Sequence, residues 1–360
     1  MRWAKALILV VSLLPAACSG GGSGGVAEPA SSTTAATARR CGGDGTGAGT
    51  VEPGTERLRI EHDGARREVE RVIPPSYDGK QPRPVILNLH GFTSSIEQQN
   101  LFSDLPAKAA ARGYVLLTPQ AADATIPVNG SEVTGPYWNI RPDESAGIAG
   151  LHDDVGFLRG LLDSALDDLC VDPARVYVTG NSNGAGMAAV LACALPGRLA
   201  AIAPVSGVNL AAPCRDLRAV SVVAFHGDAD PLVPYEGGSA SNEKLDNPSV
   251  PDAVGSFARA AGCAPEARSE ALFDDVTLRR WPGCRPGFDV ALYTVLGGGH
   301  TWPGMLAYVD VARLQELAQG MDLPAAAGVD LGAIAGHMTT NVEATEVMLD
   351  FFDAHRLDRG

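Results

Sequence analysis

Apolar residues follow two alternating patterns along most of the chain. Continuous apolar runs, which are typical of strands buried on both faces of a sheet, lie at residues 84–90, 114–118, 175–179, 201–205, 220–225 and 289–295. Apolar residues at helical spacing predict helices over 98–112, 153–169, 183–194 and 342–354. Residues 58–60 and 68–73 predict an opening hairpin. This repeated strand-then-helix order predicts an α/β fold, with a mostly parallel central sheet and helices on both faces.

The first fifty residues do not follow this alternation. Arg2 and Lys5 precede a short apolar run at residues 6–14, and small residues then lead to Cys18. This pattern resembles a bacterial lipoprotein signal, except that Pro15 stands where a Leu is expected. We therefore predict a signal peptide over residues 1–17 and lipidation of Cys18, with plain secretion as the alternative. Either outcome predicts an extracellular or cell-envelope location. Residues 18–50 are rich in Gly, Ser, Ala and Thr and predict a flexible tether. Residues 51–360 are the predicted catalytic domain.

Composition and charge narrow the classes of partner. Hydrophobic residues make up 45% and charged residues 19% of the chain, so a sizeable core can form. The net charge of −14 argues against nucleic acid, and against a membrane contact other than the lipid anchor. Seven cysteines occur, and lipidation of one would leave six for up to three disulfides in an exported protein.

A Gly-x-Ser-x-Gly motif at residues 180–184 lies between a predicted strand and a predicted helix. This context is typical of a nucleophile elbow, in which the serine side chain is exposed at the top of the sheet. We therefore predict Ser182 as a nucleophile. The orienting acid would follow the next strands, where Asp228 and Asp230 are alternatives.

The general base is predicted after the last strand, where three glycines precede His300. His337 is the alternative base. His90 and His226 precede glycines at strand ends and are interpreted as structural. His152 lacks a metal-ligand spacing, and the sequence implies neither a metal nor a cofactor.

An oxyanion hole would need two backbone N–H groups. One is expected from Asn183, which follows the nucleophile, and the other from the loop after residues 84–90, with Phe92 as first choice and Thr93 as second. Trp138 and Trp302 are candidate flat walls for an aryl group or a sugar ring, with ordinary core packing as the equal alternative.

Four motifs, at residues 89–93, 180–184, 226–235 and 297–304, resemble those of the polyhydroxybutyrate-depolymerase-like esterases. That group merges with secreted feruloyl and acetylxylan esterases of the α/β-hydrolase fold and includes envelope lipoproteins. The resemblance implies a triad of Ser182, Asp230 and His300, and it favours Asp230 over Asp228.

A disulfide between Cys263 and Cys284 is expected. The two cysteines flank an extended excursion, and the resemblance favours the same pair. The pairing of the other four is left open; they are Cys41, Cys170, Cys193 and Cys214.

These observations predict a secreted or lipid-anchored serine carboxylesterase. Its substrates would be small acyl or aryl esters, such as feruloyl or acetyl esters on polysaccharide, cleaved through an acyl-enzyme. Polyhydroxyalkanoate hydrolysis is one alternative. An envelope binding protein built on an inactive hydrolase fold is the other.

Overall fold

The computed structural model describes residue 41 and residues 51–128, 130–141, 148–211, 214, 216–238, 246–310 and 331–358. The predicted signal peptide, Cys18 and nearly all of the predicted tether lie outside these described residues.

The strands are β1 (Gly54–His62), β2 (Ala65–Ile73), β3 (Arg83–Leu89), β4 (Val115–Pro119), β5 (Asp123–Val128), β6 (Ser131–Pro136), β7 (Val171–Asn181), β8 (Ala201–Val205), β9 (Ser221–Gly227), β10 (Arg268–Phe273), β11 (Val276–Arg280) and β12 (Val290–Val295). The helices are α1 (Ile96–Ser103), α2 (Leu105–Ala111), α3 (Asp154–Asp168), α4 (Asn183–Ala194), α5 (Val250–Ala260), α6 (Leu331–Ala335) and α7 (Ala344–Ala354).

Among the described residues, ten strands form one sheet in the order β1-β2-β4-β3-β7-β8-β9-β12-β11-β10. The six central strands, β4 to β12 in that order, pair in parallel. Antiparallel strands flank them at both edges. This arrangement confirms the predicted α/β-hydrolase fold.

The apolar runs of the central strands are continuous because both faces of the sheet are covered. Successive side chains of a strand point to opposite faces, so Val85, Leu87 and Leu89 enter one core and Ile86 enters the other. All four side chains are fully buried. Helices α3, α4 and α5 cover the first core, and α2 and α7 cover the second.

Two departures from the sequence prediction lie between β3 and α3. The helix expected over 98–112 is divided into α1 and α2 at Asp104, whose φ is 50°. Pro106 explains the division, because a proline is tolerated in the first turn of a helix but not in its interior. Between residues 118 and 153, where the sequence predicts neither a strand nor a helix, the structure contains a second small sheet, the hairpin of β5 and β6.

Three disulfides link the described cysteines, and they join Cys41 to Cys170, Cys193 to Cys214 and Cys263 to Cys284. The pair expected from the sequence, Cys263 and Cys284, is therefore present, and the pairing left open is resolved. Within the described part of the chain, no helix is both long and apolar enough to cross a membrane.

Candidate active site

Ser182 lies in the sharp turn between β7 and α4. Its φ of 55° and ψ of −120° are unusual for a residue with a side chain. The flanking glycines allow this turn, because a Cβ on Gly184 would lie 2.2 Å from the carbonyl oxygen of Leu89, and one on Gly180 would lie 2.6 Å from the backbone of Gly184. The local sequence therefore fixes the backbone at Ser182 in a strained conformation.

Parallel strand order brings the three candidate residues to one edge of the sheet. Ser182 follows β7, Asp230 follows β9 and His300 follows β12, and these strands are neighbours apart from β8, which lies between β7 and β9. The carboxyl ends of parallel strands meet at the same edge, where open α/β sheets bind ligands.

Asp230 and His300 are in direct contact. Nδ1 of His300 lies 2.7 Å from Oδ2 of Asp230, and the Asp230 side chain is fully buried. The other carboxylate oxygen accepts hydrogen bonds of 2.9 Å from the N–H groups of Leu232 and Val233. Because an ionised carboxylate can only accept, Nδ1 of His300 carries a proton, so the neutral tautomer of this ring is the one whose free lone pair lies on Nε2.

A second buried histidine also faces the Asp230 carboxylate. Nε2 of His226 lies 3.4 Å from Oδ2 of Asp230 and 2.9 Å from the carbonyl oxygen of Val233. Burial by itself would raise the pKa of Asp230, but His300 and His226 outweigh it and hold the pKa of Asp230 well below its usual range. Asp230 is therefore an anion throughout the neutral pH range.

Asp228 does not contact the imidazole of His300 but supports the loop that carries it. Its Oδ1 accepts a hydrogen bond of 2.6 Å from the N–H of Gly297. On the other side of the loop, the hydroxyl of Ser206 donates to the carbonyl oxygen of Thr301 at 3.2 Å. The two aspartates thus have different partners, one on the imidazole and one on the loop backbone.

His337 pairs with a different carboxylate. Its Nε2 lies 2.7 Å from Oδ2 of Asp275, and its side chain is 48% exposed. Its backbone N–H donates to the carbonyl oxygen of Gly297. His337 therefore lies beside the loop of His300, but its imidazole is engaged with Asp275.

The loop after β3 lies against the turn that carries Ser182. A Cβ on Gly91 would come within 3.3 Å of the Cβ of Ser182. The N–H groups of Phe92 and Asn183 have no hydrogen-bond partner among the described residues, whereas the N–H of Thr93 donates to the carbonyl oxygen of Pro136 at 2.9 Å. Of the two alternatives in this loop, Phe92 is thus the one with a free donor.

The sequence profile of the phospholipase/carboxylesterase family matches residues 69–258, more than half of the chain. The chain belongs to the phospholipase/carboxylesterase family. The matched residues include the Ser182 turn and Asp230, and His300 lies beyond them.

Three related proteins are similar in sequence to this chain over more than half of its length. NocK, a provisionally named esterase of Nocardia uniformis subsp. tsuyamanensis, is 33% identical over 62% of the chain and 66% of its own length. Feruloyl esterase B of Piromyces equi is 27% identical over 65% of the chain and 42% of its own length. Feruloyl esterase C of Emericella nidulans is 26% identical over 67% of the chain and 84% of its own length. The chain therefore spans less than half of the Piromyces protein.

The two tryptophans that were candidates for the substrate pocket lie in the core of this carboxylesterase-family fold. Trp138 is 0% exposed and Trp302 is 2% exposed. The indole N–H of Trp138 donates to the carbonyl oxygen of His90 at 3.0 Å, and that of Trp302 donates to Oγ1 of Thr345 at 3.0 Å. Since neither ring has a face open to a ligand, the pocket interpretation is corrected to core packing.

Two features of the site were not found from the sequence. The side chain of Asn183 bonds to both the backbone N–H and the backbone C=O of Trp138. The partly exposed rings of Phe92 and Tyr137 form an edge-to-face pair at 5.4 Å. The Tyr137-Trp138 dipeptide in a Gly- and Pro-rich stretch was the available signal, but it does not reveal which of the two side chains is buried.

Proposed function

We propose that this chain is an exported serine carboxylesterase that hydrolyses small acyl or aryl esters, with feruloyl and acetyl esters of polysaccharide as the substrate class. The observation that carries the proposal is the contact of His300 with the buried, ionised Asp230, at the sheet edge where Ser182 is held in a strained turn. Membership in the phospholipase/carboxylesterase family supports ester hydrolysis. The names of the feruloyl esterase relatives support the acyl group.

In the proposed mechanism, Nε2 of His300 accepts the proton of the Ser182 hydroxyl while the oxygen attacks the ester carbonyl. Asp230 remains ionised, holds the imidazole by its Nδ1–H and stabilises the imidazolium that forms. The N–H groups of Phe92 and Asn183 would bind the developing oxyanion, helped by the amino end of α4. His300 then protonates the leaving alcohol, and water assisted by the same residue releases the acid.

We also propose that the protein is exported, with Cys18 as the lipidated residue. Three disulfides support export, because such bonds persist in oxidising compartments and are rare in the cytosol. The Cys41–Cys170 bond would join a residue inside the proposed tether to the residue that precedes β7.

A side-by-side panel of esters tests the proposed substrate class. We expect the wild-type protein to hydrolyse methyl ferulate and acetylated xylan faster than hydroxybutyrate oligomers, with Ser182→Ala as the blank. A preference for hydroxybutyrate oligomers would replace the substrate class by polyhydroxyalkanoates. If the wild type cleaves none of these esters faster than the Ser182→Ala variant, the proposed function is contradicted, and the alternative of a binding protein on a hydrolase fold is favoured.

A further inference from the structure

Trp138 bonds to the residue that follows the nucleophile. The backbone N–H of Trp138 donates to Oδ1 of Asn183 at 2.7 Å, and Nδ2 of Asn183 donates back to the carbonyl oxygen of Trp138 at 3.0 Å. Both residues are buried. This reciprocal pair ties Trp138 to the first residue of α4, whose backbone N–H is one of the two candidate oxyanion donors.

Trp138 also bonds to the loop after β3. Its indole N–H donates to the carbonyl oxygen of His90 at 3.0 Å, and its ring packs on the His90 ring at 5.2 Å between centroids. Two residues earlier, the carbonyl oxygen of Pro136 accepts the N–H of Thr93 at 2.9 Å. The short segment 136–138 thus flanks Phe92 with hydrogen bonds on both sides.

A buried ion pair between Arg67 and Asp154 anchors the residue that follows the segment 136–138. The N–H of Asn139 donates to Oδ2 of Asp154 at 2.8 Å. The other oxygen of Asp154 lies 2.6 Å from the guanidinium of Arg67, and both of these side chains are 1% exposed. Removing either partner would leave a buried charge unpaired, which is strongly unfavourable. The segment therefore has little freedom to move relative to the sheet.

We infer that Trp138 is a positioning residue, which fixes the spacing between the two candidate oxyanion donors, the N–H groups of Phe92 and Asn183. The inference rests on the proposed function. The two donors belong to different segments of the chain, and Trp138 bonds to both of these segments. Oxyanion stabilisation depends on donors at about 2.7–3.1 Å from the charged oxygen, so a small change in their spacing weakens it.

The burial of Trp138 separates this role from a substrate contact. A fully buried indole cannot touch the ester in the ground state. Its loss should therefore weaken the binding of the tetrahedral transition state and leave the binding of the substrate nearly unchanged. In kinetic terms, kcat should fall and KM should stay constant.

Trp138→Phe tests the inference, because it removes the indole N–H and keeps an aromatic ring. We expect kcat on a p-nitrophenyl ester to fall by about 10- to 100-fold, with KM within about twofold of the wild type. The affinity for a trifluoromethyl ketone, which forms an anionic adduct with the nucleophile, should fall by the same factor as kcat. Asn183→Ala, which keeps the backbone N–H but removes the reciprocal pair, should behave alike.

Tyr177→Phe is the matched control. It also removes a buried donor to a backbone carbonyl, the 2.6 Å bond from the Tyr177 hydroxyl to His355, but on the other face of the sheet. We expect a changed melting temperature and wild-type kcat. In the double variant Trp138→Phe/Asn183→Ala, the loss in kcat should be smaller than the product of the single losses. Both substitutions break the same connection, which runs from His90 through Trp138 to Asn183.

Several results would overturn the positioning role. One is a wild-type kcat in either folded single variant, and another is a loss confined to KM. Fully multiplicative losses in the double variant would also contradict it. If Trp138→Phe does not fold, Asn183→Ala decides the question alone. Failure of the wild type to cleave esters or bind the ketone would instead refute the proposed function, so the two failures are distinct.

Discussion

His90 shows how its surroundings determine the protonation of a single residue beside the site. Its ring is fully buried, and burial lowers its pKa to about 4. The N–H of Ala121 donates to Nε2 of His90 at 3.0 Å, so Nε2 accepts, and the remaining proton lies on Nδ1, 2.7 Å from the carbonyl oxygen of Gly91. His90 is thus a neutral donor that holds the loop of Phe92.

We expect His90 to remain neutral in the Nδ1–H form at pH 5.5. Long-range ¹H–¹⁵N spectra of the histidine rings, assigned with His90→Gln, would measure this directly. The unfolded chain binds a proton near pH 6.5, and the folded chain does so only near pH 4. The stabilisation from neutral His90 is therefore complete above pH 6.5 and is lost as the pH falls to about 4, by roughly 3 kcal/mol. An imidazolium signal from His90 in the native protein at pH 5.5 would contradict this account.

At the residue scale, the sequence identifies candidate site residues more readily than it identifies the atoms to which their side chains bond. The motifs identify Ser182 and the Asp228–Asp230 alternatives, because each motif has a fixed relation to a strand end. They do not distinguish a buried Trp138 from a pocket wall, since an indole is compatible with both environments. The hydrogen bond between Asp228 and Gly297 could not be predicted from the sequence either, because it joins residues that are 69 positions apart.

At the element scale, the Cys263–Cys284 disulfide joins the residues after α5 to the turn before β12. Backbone hydrogen bonds hold the same two segments together, from Ala264 to Pro282 at 2.7 Å and from Arg285 to Ala261 at 3.0 Å. The disulfide closes a span of 21 residues. A loop of that size contributes about 3 kcal/mol of stability when the unfolded chain is constrained.

Replacing both Cys263 and Cys284 with alanine should therefore lower the free energy of unfolding by about 3 kcal/mol. The backbone hydrogen bonds should keep the native turn, so the variant should still fold. Urea denaturation of the variant and the wild type, both non-reduced, gives the difference. An unchanged midpoint would show that the unfolded chain is not constrained by this bond, and a variant without a cooperative transition would show that the hydrogen bonds are insufficient.

The elements that the sequence predicts best are those with continuous apolar runs. The central strands agree with prediction because burial on both faces requires an uninterrupted apolar sequence. The division of the 98–112 helix was missed although Pro106 indicates it, because the helical spacing of apolar residues continues across the break. The β5–β6 hairpin was missed although Ala124, Ile126 and Val128 alternate with other residues in β5, because Pro127 and Gly135 lie inside the two strands and are typical of a loop.

At the scale of the whole molecule, the order of the strands assembles the site. Ser182, Asp230 and His300 are far apart in sequence, and they share one edge because β7, β8, β9 and β12 are consecutive in the sheet. The alternation of strands and helices predicts a parallel sheet, and therefore a common edge. It does not predict the strand order, which depends on how the long connections between strands pack.

The central claim is that Ser182 is a nucleophile activated by His300, and fluorophosphonate labelling followed by peptide mapping tests it most directly. We expect a single adduct on Ser182, no adduct in Ser182→Ala, and labelling slowed by orders of magnitude in His300→Ala. His337→Ala is the matched control, because it removes a histidine–carboxylate contact of the same 2.7 Å length, and it should label at the wild-type rate. An adduct on another residue, or wild-type labelling of His300→Ala, would contradict the account.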